Sequence, residues 1–128
     1  GRTFALWGLA FKPGTDDMRE APSRNLLEAL WEAGCAVRAY DPAAMNEARR
    51  LYGERPDFRL CDRPMDTLSG ADALVIVTEW SLFRSPDFGA IHQQLKQPII
   101  FDGRNLYDPE YLREQGFTYY AIGRGEMA

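Results

Sequence analysis

Histidine and cysteine are scarce in this chain of 128 residues, which contains one His and two Cys. The lone His92 lies beside Gln93 and Gln94 in a predicted helix, with no serine or cysteine placed to complete a nucleophilic triad, and reads as a surface residue. Cys35 follows the helix-ending Gly34 and Cys61 follows a strand. Neither stands in a C-x-x-C pair or at a histidine spacing suited to zinc, so both read as small buried thiols and no metal site is expected. No run approaches the ~20 apolar residues of a membrane span, and Gly1-Arg2-Thr3 leads into only a short apolar stretch without a signal-peptide core. No membrane partner and a cytoplasmic location are the resulting expectations. Excess basic charge is missing too: 15 Lys and Arg against 19 Asp and Glu leave a net charge of -4, so no overall field draws nucleic acid. There is no repeat with a period of roughly 20–50 residues, and no linker or low-complexity tract.

With 45% hydrophobic and 27% charged residues, the chain reads as one folding unit, able to bury roughly 65–70% of its unfolded surface without disulfide staples. Apolar runs rich in Val, Ile, Phe and Tyr alternate with stretches of helical spacing, the pattern of βα repeats around a parallel sheet. Six strands are predicted: Thr3–Gly8, Ala36–Tyr40, Phe58–Leu60, Ala73–Thr78, Pro98–Asp102 and Thr118–Ile122. The unbroken apolar fourth is the strand to expect covered on both faces. Helices are predicted from Pro22 to Ala33 with Gly34 as the stop, from Asp41-Pro42 to Gly53, over Phe88–Leu95, and from Asp108-Pro109 to Gly116, with a short helical turn at Asp66–Leu68. The fold class that follows is α/β, a Rossmann-like three-layer sandwich with a mostly parallel sheet of about six strands. Gly1 lies almost inside the first strand, as though a longer polypeptide continued upstream, and Arg124–Ala128 reads as a frayed tail.

Ligands of such sheets bind beyond the carboxyl ends of the strands. The segment after the first strand, Phe11-Lys12-Pro13-Gly14-Thr15-Asp16-Asp17-Met18-Arg19-Glu20, is longer than the usual βα connection of about 2–6 residues. Lys12 and Arg19 bracket it and suit an anionic group. Equally, Asp16 and Asp17 between them can neutralise those charges and fix a surface turn. Gly8 and Gly14 are too far apart for a dinucleotide fingerprint, and no P-loop lysine follows. Gly123-x-Gly125 has no helix after it to meet a phosphate. Asp41 occupies the position of a ribose-binding acid but, without the glycine loop, reads as the start of a helix. After the fifth strand, Gly103 allows a sharp turn that throws Arg104 over the sheet edge, where it joins Lys12 as a phosphate grip or pairs with Asp102 or Asp108. Trp80, beside Glu79, stacks on a base or sugar or packs under the next helix, and packing is the preferred reading. Several anion grips and no nucleophile–base set favour binding over self-contained catalysis.

The blocks Gly8–Ser23, Ala39-Tyr40-Asp41-Pro42, Ala71–Trp80, Phe101–Asn105 and Tyr119–Gly123, in this order and spacing, resemble the C-terminal UDP-binding domain of the UDP-glucose/GDP-mannose dehydrogenase family. The resemblance covers nearly the whole chain. It implies that residues 1–128 are the UDP-sugar-binding domain of a longer NAD-dependent dehydrogenase that oxidises UDP-glucose to UDP-glucuronate in two hydride transfers, for polysaccharide precursors. Its NAD-binding and central helical domains, which support a homodimer or higher oligomer, lie outside these residues. By position, Phe11 and Lys12 would contact the nucleotide sugar, Arg104 would reach UDP-glucose, and Arg19 would approach NAD. The family's catalytic cysteine and glycine-rich NAD loop have no counterpart here, so neither Cys35 nor Cys61 inherits the nucleophile's role and no turnover is expected from this chain alone. Gly14 stands where the family commonly has a polar residue.

Two further readings accompany this one. A receiver-like phospho-signalling domain of similar length carries an acidic pair near its first strand and a Thr ending its fourth, as Asp16-Asp17 and Thr78 do, but wants Lys where Asp102-Gly103-Arg104 stands. The other is the same domain acting on GDP-mannose or a UDP-N-acetylhexosamine.

Overall fold

Short runs of β-branched and aromatic residues pair as six strands in the computed structural model, which describes residues 2–10, 14, 17, 18 and 21–121. The strands are β1 (Thr3–Trp7), β2 (Ala36–Tyr40), β3 (Phe58–Leu60), β4 (Ala73–Ile76), β5 (Ile99–Asp102) and β6 (Thr118–Ala121). The helices are α1 (Pro22–Glu32), α2 (Met45–Tyr52), α3 (Phe88–Gln94) and α4 (Pro109–Glu114), with 3-10 turns at Pro64–Thr67 and Ser81–Phe83. Boundaries move from the sequence expectation for local reasons. β1 stops before Gly8, whose φ of +102° leaves the extended region. β5 starts after Pro98, which has no N–H to give the ladder. The second helix starts only at Met45, because residues 42–44 form a turn headed by Asp41.

The sheet order is β3-β2-β1-β4-β5-β6 and every pairing is parallel. This is the doubly wound dinucleotide-fold order, whereas a receiver domain has the order 2-1-3-4-5. The receiver-like reading therefore fails on topology: β3 lies at the outer edge beside β2, and β4 takes its place next to β1. The connections leaving β1 and β4 run to opposite sides, which makes the β1/β4 boundary the switch point where such folds bind ligands.

Alternation along each strand divides the interior in two. Leu6, Val37, Ala39 and Val75 pack with Leu27 and Trp31 of α1 and Ala48 of α2. Ala5, Trp7, Leu74, Ile76, Ile100 and Tyr119 pack on the other face with Ile91 of α3, Leu112 of α4 and Phe83. Trp7 stacks on Phe83 with ring centroids 5.1 Å apart, and its indole N–H donates to Thr67 Oγ1 at 3.0 Å. A central strand is thereby tied to both 3-10 turns. His92 is exposed with its ring edge against Phe117, Cys61 is buried and Cys35 only half-buried, and both thiols are free. Burial pushes the Cys61 thiol above its ordinary range, opposite to what a reactive thiolate needs.

Two substitutions test this packing. A Cβ at Gly8 would lie 2.4 Å from Thr78 Oγ1 and 2.7 Å from its backbone nitrogen, whereas one at Gly34, also at positive φ, meets nothing within 4 Å. Gly34→Ala is expected to cost about 1 kcal/mol in urea denaturation from backbone strain alone, and Gly8→Ala roughly 3 kcal/mol or more because the buried Thr78 side chain and backbone must yield as well. Equal costs would refute the steric account. Tyr107, whose hydroxyl donates to Phe83 O, is held above the ordinary tyrosine range by burial, then by Asp102 and Tyr119. A raised phenol contributes stability that is present below about pH 10 and lost as pH rises beyond it. Tyr107→Phe should flatten the fall of melting temperature above about pH 10 while lowering stability near neutrality by roughly 1 kcal/mol.

Candidate functional site

At the carboxyl edge of the sheet four strand ends are stitched together by side chains. Asp41, fully buried at the end of β2, accepts from Leu9 N at 2.7 Å and Ala10 N at 3.1 Å through Oδ2. Its Oδ1 accepts from Ala43 N at 2.8 Å and Ala44 N at 2.9 Å. The Trp80 indole N–H approaches Oδ2 at 3.4 Å, so this half-buried ring packs against the core with its polar edge turned to the carboxylate. The sequence reading of Asp41 as a helix start accounts for one oxygen and misses the other. Because both oxygens already accept from protein N–H groups, Asp41 does not suit a ribose. Among the described residues it therefore does not act as the ribose acid of a dinucleotide site.

Ser23 Oγ–H donates to Leu9 O at 2.6 Å and Thr78 Oγ1–H to Ala10 O at 2.8 Å, both buried. Neither role was legible, since each partner is a backbone group distant in sequence. Together with Asp41 they hold Leu9-Ala10 on both its N–H and its carbonyl side. At the far end of the same connection Met18 and Ala21 are buried. The segment is thus held at Leu9-Ala10, and just beyond its far end Ser23 ties the start of α1 back to Leu9. Phe11, Lys12 and Arg19, expected to contact ligand, lie outside the described residues, as do Asp16 and Gly123-x-Gly125.

Arg104 is described, and its side chain lies back over the end of the neighbouring strand. It is half-buried, and its Nε donates to Val77 O at 3.0 Å, laying the guanidinium from the end of β5 across the end of β4. Asp102 meets it through the backbone: the carboxylate accepts from Arg104 N at 2.8 Å, from Leu106 N at 2.7 Å and from the Tyr119 hydroxyl at 2.7 Å. Gly103, between them, donates to Ile76 O at 2.8 Å, and Asn105 takes a left-handed φ of +58°. A buried carboxylate therefore orders the turn that carries the cation. Among the described residues no group of three or more His, Cys, Asp or Glu could hold a metal ion, and no helix is long and apolar enough to cross a membrane.

If Asp41 positions the β1 connection, Asp41→Asn should break one of its two pairs of backbone contacts, because an amide NH2 cannot accept. The expected cost is roughly 3 kcal/mol. Amide exchange should accelerate roughly tenfold or more relative to α4 at the pair that faces the new NH2, either Leu9 and Ala10 or Ala43 and Ala44. Unchanged protection at all four amides would show that the carboxylate does not hold them. Asp87→Asn, which alters a single exposed cap contact to Ala90 N, should cost less than about 1 kcal/mol.

Comparison with known proteins adds independent findings. The chain is 54% identical over 127 residues to a UDP-glucose 6-dehydrogenase of Pseudomonas aeruginosa, a match covering 97% of this chain and 28% of that protein. Among solved structures it superposes on a UDP-D-ManNAc dehydrogenase of Pyrococcus horikoshii at TM-score 0.74 and 32% identity, covering 98% of this chain and 26% of the other. A UDP-glucose dehydrogenase of Pyrobaculum islandicum matches at TM-score 0.74 and 30% identity, covering 94% and 25%. The chain spans about a quarter of the length of these relatives. The model of the UDP-glucose/GDP-mannose dehydrogenase family, UDP binding domain, matches residues 5–109. Matched over most of its length, and folded as the solved relatives are, this chain belongs to the UDP-glucose/GDP-mannose dehydrogenase family, as its UDP-binding domain.

Proposed function

We propose that this chain is the UDP-sugar-holding domain of a longer NAD-dependent dehydrogenase that oxidises UDP-glucose to UDP-glucuronate, and that it does not turn over by itself. The observation that carries the reading is Arg104: a guanidinium supplied by β5 and anchored on Val77 O at the end of β4, beside the switch point. A planar fork held in place there suits the diphosphate of a nucleotide sugar. Phe11 and Lys12 are proposed to contact the same nucleotide sugar from the β1 connection, and Arg19 to approach NAD. What supports this is that their segment is held at Leu9-Ala10 on the same edge, and that Ser23 just beyond it is tied back to Leu9. NAD itself is assigned to another part of the longer polypeptide, as are the catalytic cysteine and the contacts between subunits.

UDP-glucose is preferred over GDP-mannose or a UDP-N-acetylhexosamine because 54% identity to a UDP-glucose 6-dehydrogenase exceeds the 32% shared with the UDP-D-ManNAc dehydrogenase. Shape alone does not separate the two activities, since the same TM-score accompanies both.

The test uses this chain and the longer polypeptide side by side. With UDP-glucose and NAD, this chain should give no NADH above background, whereas the longer polypeptide should turn over. There, Arg104→Ala should raise the KM for UDP-glucose roughly 10- to 100-fold, the loss of a charge-assisted contact, with the KM for NAD unchanged. A larger kcat/KM for GDP-mannose or a UDP-N-acetylhexosamine would overturn the choice of sugar. An unaltered KM for UDP-glucose would remove Arg104 from the site.

A further inference from the structure

The two faces of the sheet are covered unequally. α3, α4 and both 3-10 turns pack on one face, whereas α1 and α2 pack on the other over the β1-β2-β3 half. Beside α1, over β4 and β5, the described elements leave a groove of about 520 Å³ whose floor is Phe4, Val75, Val77 and Phe101. Phe101 stacks on Tyr120 with centroids 5.0 Å apart, which carries the same apolar surface onto β6, where Tyr120 is 36% exposed. A parallel sheet ordinarily has cover on both faces.

The wall of the groove indicates what shape of element it takes. α1 sends Leu27 and Trp31 into the core, while Leu26 and Leu30, spaced i and i+4, remain half-buried along its flank and line the groove. An i, i+4 ridge is what a neighbouring helix packs against, at an axial separation of about 8–10 Å. The occupant is therefore a second helix in the layer of α1, with an aliphatic stripe facing Phe101 and Leu30.

A second copy of this chain fits poorly. Its other exposed large hydrophobics, Leu82 and Tyr111, belong to elements packed on the opposite face, and two concave grooves cannot fill one another. The relatives are more than three times as long as the part matched here, so their chains extend well beyond this domain. We propose that this groove seats an amphipathic helix contributed by the part of the same polypeptide outside these residues, making it the docking surface between this domain and the rest of the protein. Arg104 borders the same groove, so the docked helix lies alongside the stem of the residue assigned to the substrate. The inference rests on family membership and not on which nucleotide sugar is used.

The experiment compares this chain with the longer polypeptide, using the dye 8-anilinonaphthalene-1-sulfonate and the substitution Leu30→Lys. This chain should bind the dye as a monomer by light scattering, Leu30→Lys should abolish that fluorescence while changing its melting temperature by no more than about 2 °C, and the longer polypeptide should bind no dye. In the longer polypeptide, Leu30→Lys should lower the melting temperature of this domain by about 5 °C or more and restore dye binding. Phe101→Lys serves as a second variant with the same expected pattern of dye binding. Equal dye binding in both contexts would overturn the proposal, as would an equal loss of melting temperature. A dimer of this chain that Leu30→Lys dissociates would overturn it in favour of a second copy. None of these outcomes depends on UDP-glucose turnover, so the functional assignment and the docking surface fail separately.

Discussion

The Asp41 carboxylate is the point on which the functional edge depends. Four backbone N–H groups from two segments more than thirty residues apart converge on its oxygens: Leu9 and Ala10 from the β1 connection, Ala43 and Ala44 from the turn before α2. Each of these amides lies where regular secondary structure has ended, and without the carboxylate the three buried ones, Leu9, Ala10 and Ala44, would need another acceptor away from water. Buried N–H groups are rarely left unpaired. The same atom that ends β2 thus decides where the β1 connection leaves the sheet, and Ser23 and Thr78 complete the fixation by donating to Leu9 O and Ala10 O. Gly8 belongs to this arrangement, since only a residue without a side chain lets β1 turn directly against Thr78.

A second buried carboxylate does the corresponding work at β5. Asp102 accepts from Arg104 N, Leu106 N and the Tyr119 hydroxyl, so the turn bearing Arg104 is braced from β6 and from its own backbone. Here an acid that a linear reading would pair with Arg104 instead organises neutral donors. The consequence is electrostatic: Asp102 is committed to ordering the turn, while the Arg104 guanidinium is steered by a carbonyl, Val77 O. A net charge of -4 says nothing of this local arrangement.

Much of the fold was legible because periodicity and punctuation are local. Ala-Leu-Val-Ile at β4, the Pro22 start and Gly34 stop around α1, and Asp108-Pro109 before α4 each identify an element without reference to the rest of the chain. The disagreements were local as well: Gly8 ends β1, Pro98 delays β5, and the Asx turn at Asp41 uses three residues before α2 begins. At the carboxyl edge the long connection after β1 was legible, but the side chains that support it were not. Asp41, Ser23, Thr78 and Asp102 act on backbone groups whose proximity depends on strand order, and nothing in their neighbourhood along the chain marks them.

The sequence by itself determined the α/β class, the number of strands and the family, because hydrophobic period, turn chemistry and spaced motifs are written residue by residue. Only the tertiary structure decided that β4 lies beside β1, that Asp41 is a structural hub with no capacity for a ribose, and that Arg104 lies back across β4. Among the described residues it also left the flank of α1 and the face of β4 and β5 apolar and uncovered. Each of these depends on contacts between segments brought together by the crossover from β3 to β4. Hydrogen-bond satisfaction and burial are properties of that assembled geometry, and no local pattern of residues encodes them.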